Sequence, residues 1–452
     1  SSTAFGELYS DSAFGGNVTT CRINRNTLVR NGSSLRAREE PDFLVSGDPW
    51  FRPVYLQAGP DGALYVADFY NKIIGHYEVP LTHPGRDRHR GRIWKISYRG
   101  SDFRRDVRAA ASGYGAEGNL GELPIKKLLG ELSSRQLARR TLALDELERR
   151  PVVETIRELR AGLPGEDGLW LAYAYRALGR LGALEDADLA AATVHPEAIV
   201  RVHAQRLLAE TLIEGDKPAD WILAGFKDKD PMVRRAAVQA AASRPAQRLL
   251  QPLLALYQST SQVDVHLLHS IRIALRNHLR NDKWFRELTA RELSVQDSNL
   301  LINVSLALKN RGAGEYILSR LDRLASLPTE RIGEYLRFAS RYVADESMTR
   351  VVAFSREKFR HDRKLQGELL EFIRQGLQER GAVVPQSVRN WALALAKGYL
   401  ETSISVLPRQ SRLVAWDYIP HPSASRQENP WRFSTRENFR ILPESAASAA
   451  GG

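Results

Sequence analysis

The chain changes its hydrophobic period once, near residue 120, and that change limits what it can fold into. Before it, short apolar runs alternate with turn residues; after it, apolar residues recur every three or four positions, as on one face of a helix. In the first part, "NVTTCRI", "VYLQAG", "GALYVADF" and "GRIWKISY" read as short strands, and "NTLVRNGSSLRA" places β-branched alternation around the turn former Asn31-Gly32. Pro60 and Gly62 in "GPDGALYV" predict a hairpin joining Val54–Ala58 to Ala63–Ala67, proline for its fixed φ and glycine for its freedom. These segments fit one propeller blade with parts of another, since a blade is a small antiparallel sheet with repeated turns.

In the second part the helical pattern repeats. "KDKDPMVRRAAVQAAASR" reads as a polar turn, Asp230 as a helix cap, Pro231 at the first helical position, then small and apolar residues on one face. The same logic returns in "VHPEAIVRVHAQRLLAE" before it and "VDVHLLHSIRIAL" after it. The Pro, Val-Arg and Ala pattern resembles HEAT repeats, whose helix pairs stack into a solenoid because each pair alone leaves an apolar face bare. The fold expected is therefore mixed β then α: a partial β-propeller, its last one to two blades, followed by a HEAT-like α-helical solenoid. Its parts would be a propeller portion over 1–100, a linker over 101–120, the solenoid over 121–400, and an irregular segment with a linker-like tail over 401–452. At 452 residues the chain is long enough for at least two such units. Its start and its end read as an excerpt of a longer polypeptide.

Composition excludes several classes. The sole cysteine, Cys21, rules out an intrachain disulfide, a Cys-rich zinc site and a covalent c-type haem within these residues. No run of about 18 apolar residues suggests a transmembrane segment, and no leader pattern is read at Ser1, so a signal for export would already be removed or lie upstream. The net charge of +12 comes from Arg and Lys interspersed with Glu and Asp, the pattern of solvated helix faces, and no nucleic-acid-binding motif accompanies it. A basic surface for an anionic polysaccharide would require stretches such as "RVHAQRLL" and "REKFRHDRK" to align into one stripe.

Asp48 to Gly100, "DPWFRPVYLQAGPDGALYVADFYNKIIGHYEVPLTHPGRDRHRGRIWKISYRG", resembles the closing part of the propeller in the membrane-bound dehydrogenase and haem-binding protein family of planctomycete and verrucomicrobial type. "GNVTTCRINRNTLVRNGSSLRA" resembles the segment preceding it. The resemblance implies a quinoprotein sugar or polyol dehydrogenase of the periplasm or cell surface, in which HEAT-like helices follow the propeller and electrons pass to a cytochrome c domain or partner. It implies pyrroloquinoline quinone and Ca²⁺ in a complete propeller. This chain holds neither the earlier blades, where most of the cofactor residues lie, nor a cytochrome motif. A non-catalytic scaffold, with the solenoid as docking surface for protein partners, is the competing expectation.

Chemistry for a quinone site is concentrated between Asp68 and Arg92. A cofactor rich in carboxylates needs cationic donors, and "HPGRDRHRGR" supplies Arg86, Arg88 and Arg90 around Asp87. Asp68 and Asn71 are candidate oxygen ligands for Ca²⁺, and His76 is a candidate base. The plainer alternatives are that Asp87 pairs with its neighbouring arginines, that Asp68 closes a strand, and that Asn71 starts a short helix. His266 and His269 have the i,i+3 spacing of two metal ligands, with only Asp264 to help. Trp284, Trp391, Trp416 and Trp431 read as packing residues, with a carbohydrate platform as the alternative.

Overall fold

The computed structural model describes residues 5–75, 78–98, 119–164, 167–211 and 215–406. His76, Trp416, Trp431, most of the expected linker and the expected tail beyond 406 lie outside the described residues.

Six strands come first: β1 (Ser12–Asn17), β2 (Arg22–Asn31), β3 (Ser34–Val45), β4 (Pro53–Ala58), β5 (Leu64–Asp68) and β6 (Arg92–Ile96). Asn31-Gly32 makes the expected hairpin, with Asn31 opposite Ser34 and Gly32 at a φ of +57°, a conformation open to glycine at no steric cost. Pro60–Gly62 makes the second, Ala58 pairing with Leu64. "NVTTCRI" is corrected: it spans the turn between β1 and β2, with Cys21 left-handed at φ 55°. The β1 strand itself, "SAFGGN", is too glycine-rich to show a period of two.

The partial propeller is overturned. The strands form two separate three-stranded antiparallel sheets, ordered β1-β2-β3 and β4-β5-β6, and among the described residues they close into no ring. Among the described residues β6 pairs with β5 alone, and Ile93 and Trp94 on it are 77% and 47% exposed, where a radial array of blades would cover them. The sheets meet where β1 approaches β4 so closely that a Cβ on Gly16 would run into the Pro53 carbonyl. Phe5, Ile23, Phe51, Leu64 and Val66 form the small core of this region, with Phe14 and Phe43 packed beside it at a ring separation of 4.5 Å.

Eighteen helices follow among the described residues: α1 (Ile125–Gly130), α2 (Leu137–Glu148), α3 (Val152–Gly162), α4 (Gly168–Arg180), α5 (Asp186–Thr193), α6 (Ala198–Glu210), α7 (Lys217–Phe226), α8 (Pro231–Ser243), α9 (Leu250–Ser259), α10 (Val265–Leu279), α11 (Asp282–Thr289), α12 (Val295–Ser305), α13 (Arg311–Leu318), α14 (Leu321–Leu324), α15 (Thr329–Tyr342), α16 (Met348–Lys358), α17 (Arg363–Arg380) and α18 (Gln386–Val406). They stack as a repeat: α2, α4, α6, α8, α10 and α12 pack in succession in one layer, and α5, α7 and α9 in another. The pattern resumes with α13, α15 and α17 against α16 and α18. One continuous apolar core runs through the array from Leu120 to Leu395, as a solenoid-like stack requires. None of these helices is long and apolar enough to cross a membrane.

Arginine fixes the loops of the array. Arg201 and Arg234, the Val-Arg arginines of two successive repeats, each donate to carbonyls just upstream of their own helix: His195 and Pro196 for Arg201, Asp228 and Lys229 for Arg234. Arg201 also makes a two-pronged ion pair with Asp228 of the next repeat, at 2.6 and 2.9 Å. A planar guanidinium with five N–H donors suits this task, since it satisfies several loop oxygens that no helix can reach.

Candidate functional site

Asp68, Asn71, Arg86, Arg88 and Arg90 line a cleft of about 620 Å³ where the loops after β5 and before β6 meet. The structure gives most of them internal work. Asp68 is buried at the end of β5; its Oδ1 accepts from the backbone N–H groups of Arg52 and Tyr70, and its Oδ2 from the indole N–H of Trp94 at 3.0 Å. Asn71 starts no helix. Its Nδ2 donates to the carbonyls of Phe69 and Asp87 and its Oδ1 accepts from the Asp87 N–H at 2.8 Å, so it splices two loops.

Arg86 donates to the Gly75 carbonyl, and Arg90 pairs with Asp87 at 2.6 Å. The backbone N–H of His89, and then the charge of Arg90, hold the Asp87 carboxyl below the usual carboxylate range. Arg88 is exposed, and among the described residues its side chain has no hydrogen bond or ion pair.

These contacts decide the fit of the implied cofactors. Ca²⁺ needs six or more oxygens, yet both Asp68 oxygens and Asn71 Oδ1 already face N–H donors, and no group of three His, Cys, Asp or Glu that could hold a metal occurs among the described residues. A carboxylate-rich quinone needs several cations, and the cleft leaves only Arg88 unengaged. The described residues by themselves fit neither group. His266 and His269 are exposed, while Asp264 is buried and committed elsewhere. Trp391 is a packing residue, 1% exposed, its indole N–H donating to Gln366; Trp284 is half-buried beside His278.

Sequence reasoning missed two arrangements. Arg52 is buried between the sheets and loops, donating to the carbonyls of Asn71 and Lys72 and contacting Cys21 Sγ at 2.6 Å. Nothing in its local sequence separates it from a surface arginine.

The second is the seam between the two regions. The tip of the β2–β3 hairpin reaches two successive repeat loops. Arg30 pairs with both oxygens of Asp230, at 2.7 and 3.0 Å, while Ser33 donates to Asp264 through its N–H at 2.8 Å and its hydroxyl at 2.6 Å. Both aspartates are also N-caps, accepting from Met232 N on α8 and Leu267 N on α10. Each carboxylate thus serves a helix end and the hairpin at once. A Cβ on Gly32 would collide with the Asp264 carboxylate, so the glycine serves both the turn and the seam. A groove of about 690 Å³ lies between the β4–β5 turn and the first turns of α2. The detectable signal was the hairpin Asn-Gly-Ser and the two capping aspartates, whose meeting only the fold reveals.

Residues 1–100 match the family described as a domain of unknown function (DUF7133). The match covers the β region and ends before the helical array. No curated protein matches the chain.

Proposed function

We propose that the chain is a non-catalytic scaffold, a HEAT-like solenoid on which the β region is held as a second recognition element. The supporting observation is the seam: Asp230 and Asp264 tie the hairpin tip to two repeat loops, while Asp68, Asn71, Arg86 and Arg90 are engaged within the β region. Repeat arrays of this kind present long surfaces to other proteins. The test uses the whole chain immobilised at low ionic strength. A protein partner retained from native extract and released by salt, with no dye reduction on any sugar or polyol, agrees with the reading. Dye reduction, or retention of nothing, overturns it.

A second reading is favoured by Arg88, exposed and unengaged in the cleft. In it the chain is part of an extracytoplasmic quinoprotein-like dehydrogenase, periplasmic or at the cell surface, passing electrons to a cytochrome c domain or subunit. The cleft then supplies one cation of a site completed by other polypeptide. Dye-linked sugar oxidation lost in Arg88→Gln supports that reading, and activity unchanged by the substitution removes it.

A further inference from the structure

One face of the array gathers more positive charge than it neutralises. Arg206 on α6 is exposed and lies close to Arg176 of α4 and Arg235 of α8. Burial first, then those two guanidiniums, push its proton affinity below the ordinary arginine value. Among the described residues Arg206 and Arg235 have neither hydrogen bond nor ion pair. Glu210 is the one carboxylate that attracts Arg206, and it stands 3.8 Å from Arg176.

Beside them is His203 of α6, 8% exposed, with a buried Nδ1 that no group satisfies. Tyr173 of α4 lies over it at 5.7 Å between rings, and Arg140 of α2 sits 5.2 Å from the centre of the Tyr173 ring. An unsatisfied buried nitrogen and like charges held together both destabilise a free protein. An anionic ligand on this face relieves the like charges.

We propose that Arg176, Arg206, Arg235 and His203 form a binding site for a ligand carrying at least two oxyanion groups. The inference deepens the scaffold reading and rests on it in one respect, that this face is open to a partner. Neighbouring helices lie about 8–10 Å apart, so arginines on α4, α6 and α8 can face one ligand. One oxyanion lies between Arg176 and Arg206, within reach of the imidazole, and a second meets Arg235. "RVHAQRLL", one of the two basic stretches singled out in the sequence, is the centre of this face.

Anion binding also changes the state of His203. Burial first, then Arg206, Arg176 and Arg140, lower its pKa to about 4, so the free protein holds it neutral. An oxyanion beside it offsets those arginines, and binding takes up a proton. Affinity therefore rises as pH falls from about 7 toward 5.

The experiment titrates the full chain, at constant ionic strength, with inorganic pyrophosphate and with a heparin-derived hexasaccharide, by calorimetry and thermal unfolding. At least one probe is expected to bind and raise Tm, with association weakened roughly tenfold for each arginine removed in Arg206→Gln and Arg235→Gln. Arg206→Gln is also expected to raise the Tm of the ligand-free chain, because it removes a like charge. Arg149→Gln and Arg157→Gln, exposed on other helices, serve as controls and leave binding unchanged.

Pyrophosphate binding alone defines a compact site, and hexasaccharide binding alone an extended one. A chain that binds neither probe, or binds both undiminished after Arg206→Gln and Arg235→Gln, overturns the site. Failure here with a protein partner still retained leaves the scaffold reading standing; anion binding with no partner retained does the reverse.

Discussion

The β region and the helical array bury arginine by one rule with different outcomes. In the β region Arg52 is enclosed by carbonyls and becomes a splice between loops. In the array Arg201 and Arg234 do the same for repeat loops, but Arg176, Arg206 and Arg235 are held near one another with little to neutralise them. A guanidinium that finds carbonyl and carboxylate oxygens is structural; one left among cations points to something outside the chain. The two regions also differ in what stabilises them. The array has a continuous apolar core, whereas the β region has a core cluster of five buried apolar residues among the described ones, an aromatic cluster and a polar network around Asp68.

The largest expected effect tests the continuity of the array core. Ile271→Ala, at a position fully buried in α10, should cost about 4 kcal/mol. Denaturant unfolding followed by helical circular dichroism measures it, and a loss under about 1 kcal/mol would mean that the repeats there do not share a core.

Next comes acid. The folded-state pKa of His203, about 4, lies below its ordinary value of 6.5. The unfolded chain therefore binds the extra proton first. Stability is fully present above pH 6.5 and about 3 kcal/mol of it is lost as pH falls toward 4. His203→Gln should flatten that part of the profile in the array, and an unchanged slope would assign the acid sensitivity elsewhere.

Asp68→Ala probes the β region alone. It strands two backbone N–H groups and the Trp94 indole, for a cost of about 2 kcal/mol. Tryptophan fluorescence should move while helical circular dichroism holds; loss of both together would show that the regions unfold as one.

Asp264→Ala sharpens the same question at the seam. Loss of the α10 cap and of both Ser33 hydrogen bonds costs about 2 kcal/mol, and hydrogen exchange at the Ser33 amide should accelerate because its acceptor is gone. Arg30→Ala should do least, under about 0.5 kcal/mol, since Arg30 is 59% exposed and its pair with Asp230 is screened. If Arg30→Ala released the hairpin while Asp264→Ala did not, the seam would be electrostatic rather than a buried hydrogen-bond clamp.

Local chemistry made much of this molecule legible in the sequence. Asn31-Gly32 and Pro60–Gly62 specify their turns, Asp230-Pro231 specifies a helix start, and the recurring Val-Arg and Ala positions specify stacked helices, because φ preferences, caps and helical periods act within a few residues. The candidate cleft was legible as a cluster too, since its residues are close in the chain. Their employment was not: Asp68 is turned toward Trp94 and Asn71 toward Asp87 by partners many residues away.

Tertiary structure alone decided the rest. Alternation of apolar residues identifies a strand but not its neighbour across an edge, so the sequence could not tell two separate three-stranded sheets from part of a propeller. Nor could it place Arg30 and Ser33 on the caps of α8 and α10, or set Arg206 between Arg176 and Arg235. Those meetings depend on how whole helices and sheets pack, and packing brings together residues that no local period connects.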